Sequence, residues 1–197
     1  MKKSTPTFVV GVGGSAGGLV AYKTLLDALP PDTGMAFVII SHMTPSASSQ
    51  LAQILARHTK MAVVVASTAM PIRANHVYVI PPDADLSVEG YRFKIISPRS
   101  KRNVQIDIFL TSLAKAMGVR AVGIILSGFD GDGAEGCRQI KAYGGITFAQ
   151  DASAEVEEMP LSAQASGCVD FVLPPEEIPR KLQKLADRLI RLSANSP

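Results

Sequence analysis

The segment Phe8-Val9-Val10-Gly11-Val12-Gly13-Gly14-Ser15-Ala16-Gly17-Gly18-Leu19 sets one serine in a glycine-rich turn, after an apolar strand and before a helical pattern. Glycines on both sides permit positive φ and close approach of other groups. The Ser15 hydroxyl can then stand clear at a helix N-terminus, where the dipole favours developing negative charge. A nucleophile for acyl transfer is the chemistry such a residue could supply, and the chain reads as a hydrolase.

Gly11-x-Gly13-x-x-Ala16 also satisfies the dinucleotide fingerprint in its alanine-ending version. A nucleotide binder needs an Asp or Glu roughly 20 residues on, at the end of the second strand, to hold the ribose. The strand Met35-Ala36-Phe37-Val38-Ile39-Ile40 ends instead in Ser41-His42-Met43, with a histidine able to serve as general base. A carboxylate to orient it is available in Leu126-Ser127-Gly128-Phe129-Asp130-Gly131-Asp132-Gly133-Ala134. In a parallel sheet these three loops open onto one edge, so Ser15, His42 and Asp132 can form a triad in the order Ser, His, Asp. Asp130, two residues earlier, is a competing carboxylate for His42.

Other readings of the same residues are weaker. Gly13-x-Ser15-x-Gly17 matches the nucleophile elbow of α/β-hydrolases, but there the histidine follows the acid, and no histidine follows Asp132. His58, on a helix near Arg57 and Lys60, reads as a surface residue, and His76 reads as the first residue of a hairpin strand. Asp130-x-Asp132-Gly133 imitates the opening of a calcium loop, yet the twelfth-position Glu is absent and no metal is expected.

The elements that must position these residues follow from the hydrophobic pattern. Apolar runs at Phe8–Val12, Phe37–Ile40, Ala62–Val65, Ala121–Leu126, Ile146–Ala149 and Val169–Val172 read as strands covered on both faces. Helical patterns lie at Leu19–Leu29, Ser46–His58, Ile106–Met117, Ala134–Tyr143 and Leu161–Ser166. That alternation predicts an α/β fold: a doubly wound, mainly parallel, Rossmann-like sheet with helices on both faces. Between His76 and Ile95 the alternation breaks into short strands and turns, and a β-hairpin insertion with Glu89-Gly90 at its tip is expected. Leu182, Leu185, Leu189 and Leu192 form a stripe on a C-terminal helix from Ile178, which either closes the domain or leads to another one.

At 197 residues the chain fits one sizeable domain, and 47% hydrophobic with 19% charged residues describes an ordinary globular protein. A net charge of +3 is too small to imply nucleic acid. No apolar run reaches the roughly 20 residues that span a bilayer. Cys137 and Cys168 lack metal or redox spacing and read as free thiols of a cytoplasmic protein.

With these residues in view, the chain resembles the catalytic domain of the chemotaxis protein-glutamate methylesterases, the CheB-type enzymes, from Val9 to about Pro179. The resemblance rests on Gly11 to Gly18, Ser41-His42-Met43, Asn75-His76-Val77-Tyr78-Val79-Ile80-Pro81-Pro82 and Ile106-Asp107-Ile108-Phe109-Leu110-Thr111-Ser112-Leu113-Ala114. It continues through Leu126-Ser127-Gly128, Asp132-Gly133-Ala134, Gly144-Gly145-Ile146-Thr147-Phe148-Ala149-Gln150-Asp151 and Met159-Pro160. It implies Ser15 as nucleophile, His42 as general base and acid, Asp132 as its orienting carboxylate, and backbone N–H groups of Ala16 and Phe129 as oxyanion donors. It implies hydrolysis of glutamate γ-methyl esters, and deamidation of glutamine, on the cytoplasmic helices of methyl-accepting chemoreceptors, without metal or organic cofactor.

Ala16 departs from the family's frequent threonine, Phe129 from a frequent Met or Thr, and Asp130 from a glycine or alanine. The family's receiver domain precedes the catalytic domain, and with few residues ahead of the first strand none is expected here. The chain resembles versions that lack a receiver or are fused to a methyltransferase domain, so that domain or a separate response regulator is a candidate partner. Residues 1–179 are then the catalytic domain and 180–197 a C-terminal helix or linker. The rivals are a serine esterase acting on another small ester and a non-catalytic signalling module. Arg92, Lys94, Arg99, Lys101 and Arg102 form a basic segment that either meets an acidic receptor helix or is a solvated rim.

Overall fold

The computed structural model describes residues 5–42 and 45–194; Met43 of the Ser41-His42-Met43 block lies outside them, as do residues 1–4 and 195–197. The elements in chain order are β1 (Val9–Gly14), α1 (Gly18–Asp27), β2 (Ala36–Ser41), α2 (Pro45–Leu55), β3 (Ala62–Val65), β4 (His76–Val79), β5 (Asp85–Glu89) and β6 (Arg92–Ile96). The chain continues with α3 (Gln105–Met117), β7 (Ala121–Ile125), α4 (Ala134–Ala142), β8 (Ile146–Gln150), α5 (Glu158–Ala165), β9 (Phe171–Leu173) and α6 (Ile178–Ala194). Seven strands form a sheet in the order β3-β4-β2-β1-β7-β8-β9, every pair parallel, and β5 with β6 forms a separate antiparallel hairpin.

The period of two along the strands divides the core into two layers. Val10 and Val12 of β1 and Phe37 and Ile39 of β2 point to one face, where Leu25, Leu51 and Leu182 of α1, α2 and α6 cover them. Val9, Val38 and Ile40 point to the other, against Phe109, Leu110 and Leu113 of α3 and Cys137 and Ile140 of α4. Burial on both faces explains why the strands carry no polar alternation. α6 begins at Ile178 and buries Leu182 and Ala186 in the first layer.

One placement corrects the sequence-based expectation. His76 starts β4, a strand inside the main sheet between β3 and β2, rather than a strand of the hairpin, which is β5–β6 alone. Val77, Tyr78 and Val79 are buried, and a short run covered on both faces suits an inner parallel strand better than a surface ribbon. The hairpin turns at Gly90-Tyr91, one residue beyond the expected Glu89-Gly90 tip because Glu89 still pairs with Arg92, and it lays Leu86, Val88 and Phe93 on the α3 layer.

Two glycines of β1 bring α3 unusually near the sheet. A methyl group at Gly11 would lie 2.6 Å from Leu110 Cδ2, and one at Gly13 would lie 2.6 Å from Ile106 Cγ2. The first turn of α3 therefore sits directly beneath the end of β1. Strand order reverses at β1: the chain proceeds outward through β2 on one side and through β7 on the other. Such a reversal opens a crevice at the C-terminal strand ends.

Candidate active site

Ser15 and His42 each follow a residue of one register pair, Gly14 of β1 and Ser41 of β2, so two neighbouring strand ends deliver them side by side. The Ser15 turn is stitched to the loop after β7. Ser15 N–H donates to Ser127 O at 2.9 Å, Ser127 Oγ donates to Ala16 O at 2.8 Å, and Val156 N–H donates to Ser127 Oγ at 2.9 Å. Gly17, the N-cap residue of α1, has a φ of 72°, and a methyl group there would meet Ser127 Oγ at 2.5 Å. A methyl group at Gly128 would lie 2.9 Å from Ser15 Cβ, so the loop passes against the serine.

Asp132 stands across the crevice with its side chain fully buried, and its Oδ2 is 2.6 Å from His42 Nε2. That length is characteristic of a charge-assisted bond. Two further donors hold the carboxylate: Ile106 N–H at 3.0 Å on Oδ2 and Asp107 N–H at 2.8 Å on Oδ1. These are the second and third residues of α3, the positions that a capping side chain serves. Val104, the local N-cap residue, has no cap side chain, so the sequence-distant Asp132 fills the role.

His42 Nδ1 is buried and has no hydrogen-bond partner among the described residues. The nearest carboxylate to it, Asp130 Oδ2, is 4.0 Å away. Asp130 instead uses Oδ1 to accept Asp132 N–H at 2.9 Å, bending the loop at a left-handed φ of 70° that aspartate tolerates better than most residues. It shapes the turn rather than taking His42 from Asp132. No hydrogen bond joins Ser15 Oγ to His42 among the described residues, and a loose nucleophile–base contact is usual before substrate binds. The N–H groups of Ala16 and Phe129 likewise donate to no acceptor among the described residues. Phe129 projects its ring outward, 55% exposed.

The other histidines are engaged elsewhere: His58 Nδ1 pairs with Asp27 at 3.0 Å, and His76 Nδ1 bonds Ala74 O at 2.9 Å. Cys137 is buried, which pushes its thiol up to about 12, and both cysteines are free. Beneath the turn, Tyr22 is fully buried with its hydroxyl donating to Ile40 O, and burial raises its pKa. Among the described residues no three His, Cys, Asp or Glu side chains are grouped to hold a metal ion, and no helix is long and apolar enough to cross a membrane.

Sequence reasoning missed Ser127. Its neighbourhood in Leu126-Ser127-Gly128 was visible, but only the fold shows its hydroxyl bridging Ala16 and Val156. Replacing it by alanine strands a donor and an acceptor, and Ser127→Ala is expected to cost about 1–3 kcal/mol of stability. Urea unfolding checks this, as a lower midpoint at unchanged slope.

A parallel doubly wound sheet with a serine turn beside a buried His–Asp pair at its strand-order reversal defines a doubly wound α/β domain of the hydrolase class. Comparison with known proteins narrows that class. The CheB methylesterase family model matches residues 10–182, and the chain belongs to that family. It is 32% identical, over 94% of both chains, to a Leptospira interrogans protein provisionally named protein-glutamate methylesterase/protein-glutamine glutaminase. It is 37% identical, over 90% of its length, to protein-glutamate methylesterase/protein-glutamine glutaminase 2 of Anaeromyxobacter dehalogenans, of which it spans 53%. The crystal structure of the Thermotoga maritima CheB methylesterase catalytic domain superposes with a TM-score of 0.83 at 28% identity, covering 90% of this chain and 98% of that one.

Proposed function

We propose that this chain hydrolyses γ-methyl esters of glutamate side chains on the cytoplasmic helices of chemoreceptors, and deamidates glutamine at such positions, through a Ser15 acyl-enzyme. The observation that carries this reading is the buried bond between His42 Nε2 and Asp132 beside Ser15. With Nε2 committed to Asp132, Nδ1 is the nitrogen that takes the Ser15 proton. The alkoxide attacks the γ-carbonyl, and His42 returns the proton to the departing methanol or ammonia. Water, deprotonated by the same nitrogen, then attacks the acyl group, and His42 hands that proton to Ser15 Oγ as the acyl–oxygen bond breaks and the free glutamate carboxylate leaves. The imidazolium formed at each step is stabilised by the Asp132 carboxylate.

Ala16 and Phe129 N–H, both without protein acceptors among the described residues, serve as oxyanion donors, and each such donor contributes roughly 3 kcal/mol. No metal or organic cofactor takes part. Residues 1–179 act as the catalytic domain, and α6, which ends at Ala194 among the described residues, packs against it as a closing helix. A receptor substrate puts the reaction in the cytoplasm, with a methyltransferase domain or a separate response regulator as candidate partner.

The test is methanol release from a methylated cytoplasmic receptor fragment, set against turnover of small nitrophenyl esters. Receptor methyl esters are expected to be preferred by at least about tenfold in kcat/KM, because remote contacts to a helix lower the barrier only for the larger substrate. Equal or better turnover of small esters points to a different esterase, and no turnover of either points to a non-catalytic module.

A further inference from the structure

Asp107 belongs to the Ile106–Ala114 block, and the chemistry above leaves its carboxylate without a role. Its Oδ1 accepts two backbone donors at the start of α4, Gly133 N–H at 2.9 Å and Gly136 N–H at 2.7 Å. Gly133, the N-cap residue of α4, offers it no cap side chain, as Val104 offers none to α3. The two helices therefore cap each other. Asp132, next to the start of α4, closes the N-terminus of α3, and Asp107, in the first turn of α3, closes that of α4. Asp107 is thus joined to Asp132 twice, through its own N–H and through Gly133, the residue after Asp132.

We propose that Asp107 is a positioning residue for hydrolysis, holding through Gly133 and Gly136 the loop that presents Asp132 to His42. The role rests on the esterase reading above. Its charge acts as well as its geometry. The groups that face it are Asp132 on the loop and Glu135 and Cys137 of α4; on the hairpin side Asp85 is engaged by Ser100 and Gln105. Burial pushes the Asp107 carboxyl up to about 6, and the Asp132 charge adds to this against the two amides. Above that pH a second negative charge lies behind Asp132 and favours the imidazolium formed at His42. Below it the carboxyl is protonated and only its acceptor oxygen remains.

Asp107→Ala removes both functions, and Asp107→Asn keeps the acceptor while mimicking the protonated acid. The alanine variant is expected to lose about tenfold or more in kcat at every pH with KM within about twofold of wild type. The asparagine variant is expected to stay within about threefold of wild type at pH 5 and to fall about three- to tenfold below it above pH 7. Amide hydrogen exchange at Gly133 and Gly136 is expected to speed up in the alanine variant and to return to wild-type rates in the asparagine variant. A folded alanine variant with wild-type kcat overturns the proposal. An asparagine variant as impaired as alanine at pH 5 also overturns it. If the wild-type protein hydrolyses no ester, the esterase reading fails, and the exchange rates still decide whether Asp107 holds the loop.

Discussion

Ser15→Ala is expected to abolish turnover, with kcat down by about 10⁴-fold or more and KM almost unchanged. The size of the effect follows from the route. Without the hydroxyl no acyl-enzyme forms, and what remains is the unassisted attack of water on a carbonyl polarised by backbone donors. The same substitution is expected to erase labelling by a fluorophosphonate, which reports the nucleophile directly and needs no receptor substrate. The fold should barely register the change. Ser15 is partly exposed and its hydroxyl makes no hydrogen bond among the described residues, so a shift within about 0.5 kcal/mol in unfolding free energy is expected. Retained labelling in a folded Ser15→Ala protein would move the nucleophile elsewhere.

The second large effect is expected at Asp132. In Asp132→Asn the side-chain oxygen can still accept from the first turn of α3, but its amide group then faces His42 Nε2. That contact makes Nε2 an acceptor and leaves the proton on Nδ1, the nitrogen that should receive the serine proton. A loss of about 10³- to 10⁴-fold in kcat is expected from the wrong tautomer together with the missing charge. Methanol release or nitrophenyl ester hydrolysis measures it, with circular dichroism to show that the helices persist. Asp130→Asn serves as the comparison. Its carboxylate lies 4.0 Å from Nδ1 and caps a turn, so a decrease of no more than about tenfold is expected. The reverse order of severity would make Asp130 the orienting acid.

Much of the scaffold was legible because the strands are covered on both faces and therefore stand out as apolar, β-branched runs between helical periods. The convergence of the Ser15, His42 and Asp132 loops was legible for the same reason, since a parallel sheet collects its C-terminal strand ends on one edge. β4 was misplaced because a four-residue run ahead of Ile80-Pro81-Pro82 looks the same whether it enters a sheet or a hairpin. α5 begins at Glu158, three residues earlier than the pattern indicates, because Pro160 sits in its first turn, where a missing N–H costs nothing. The mutual capping of α3 and α4 was out of reach. Asp107 reads as an ordinary acid in a helix's first turn, and nothing local reveals that its partners are Gly133 and Gly136.

The β5–β6 ribbon packs on α3, away from the main sheet, and is coupled to the crevice by a short relay. Asp85 at the ribbon's base accepts from Gln105 Nε2 at 2.9 Å, Gln105 is the first residue of α3, and the next two residues grip Asp132. Leu86, Val88 and Phe93 meanwhile roof the outer face of that helix. An effort to whittle this protein down to a minimal hydrolase by trimming its one excursion from the sheet would therefore loosen the acid without touching it. The ribbon is better regarded as a buttress than as an ornament.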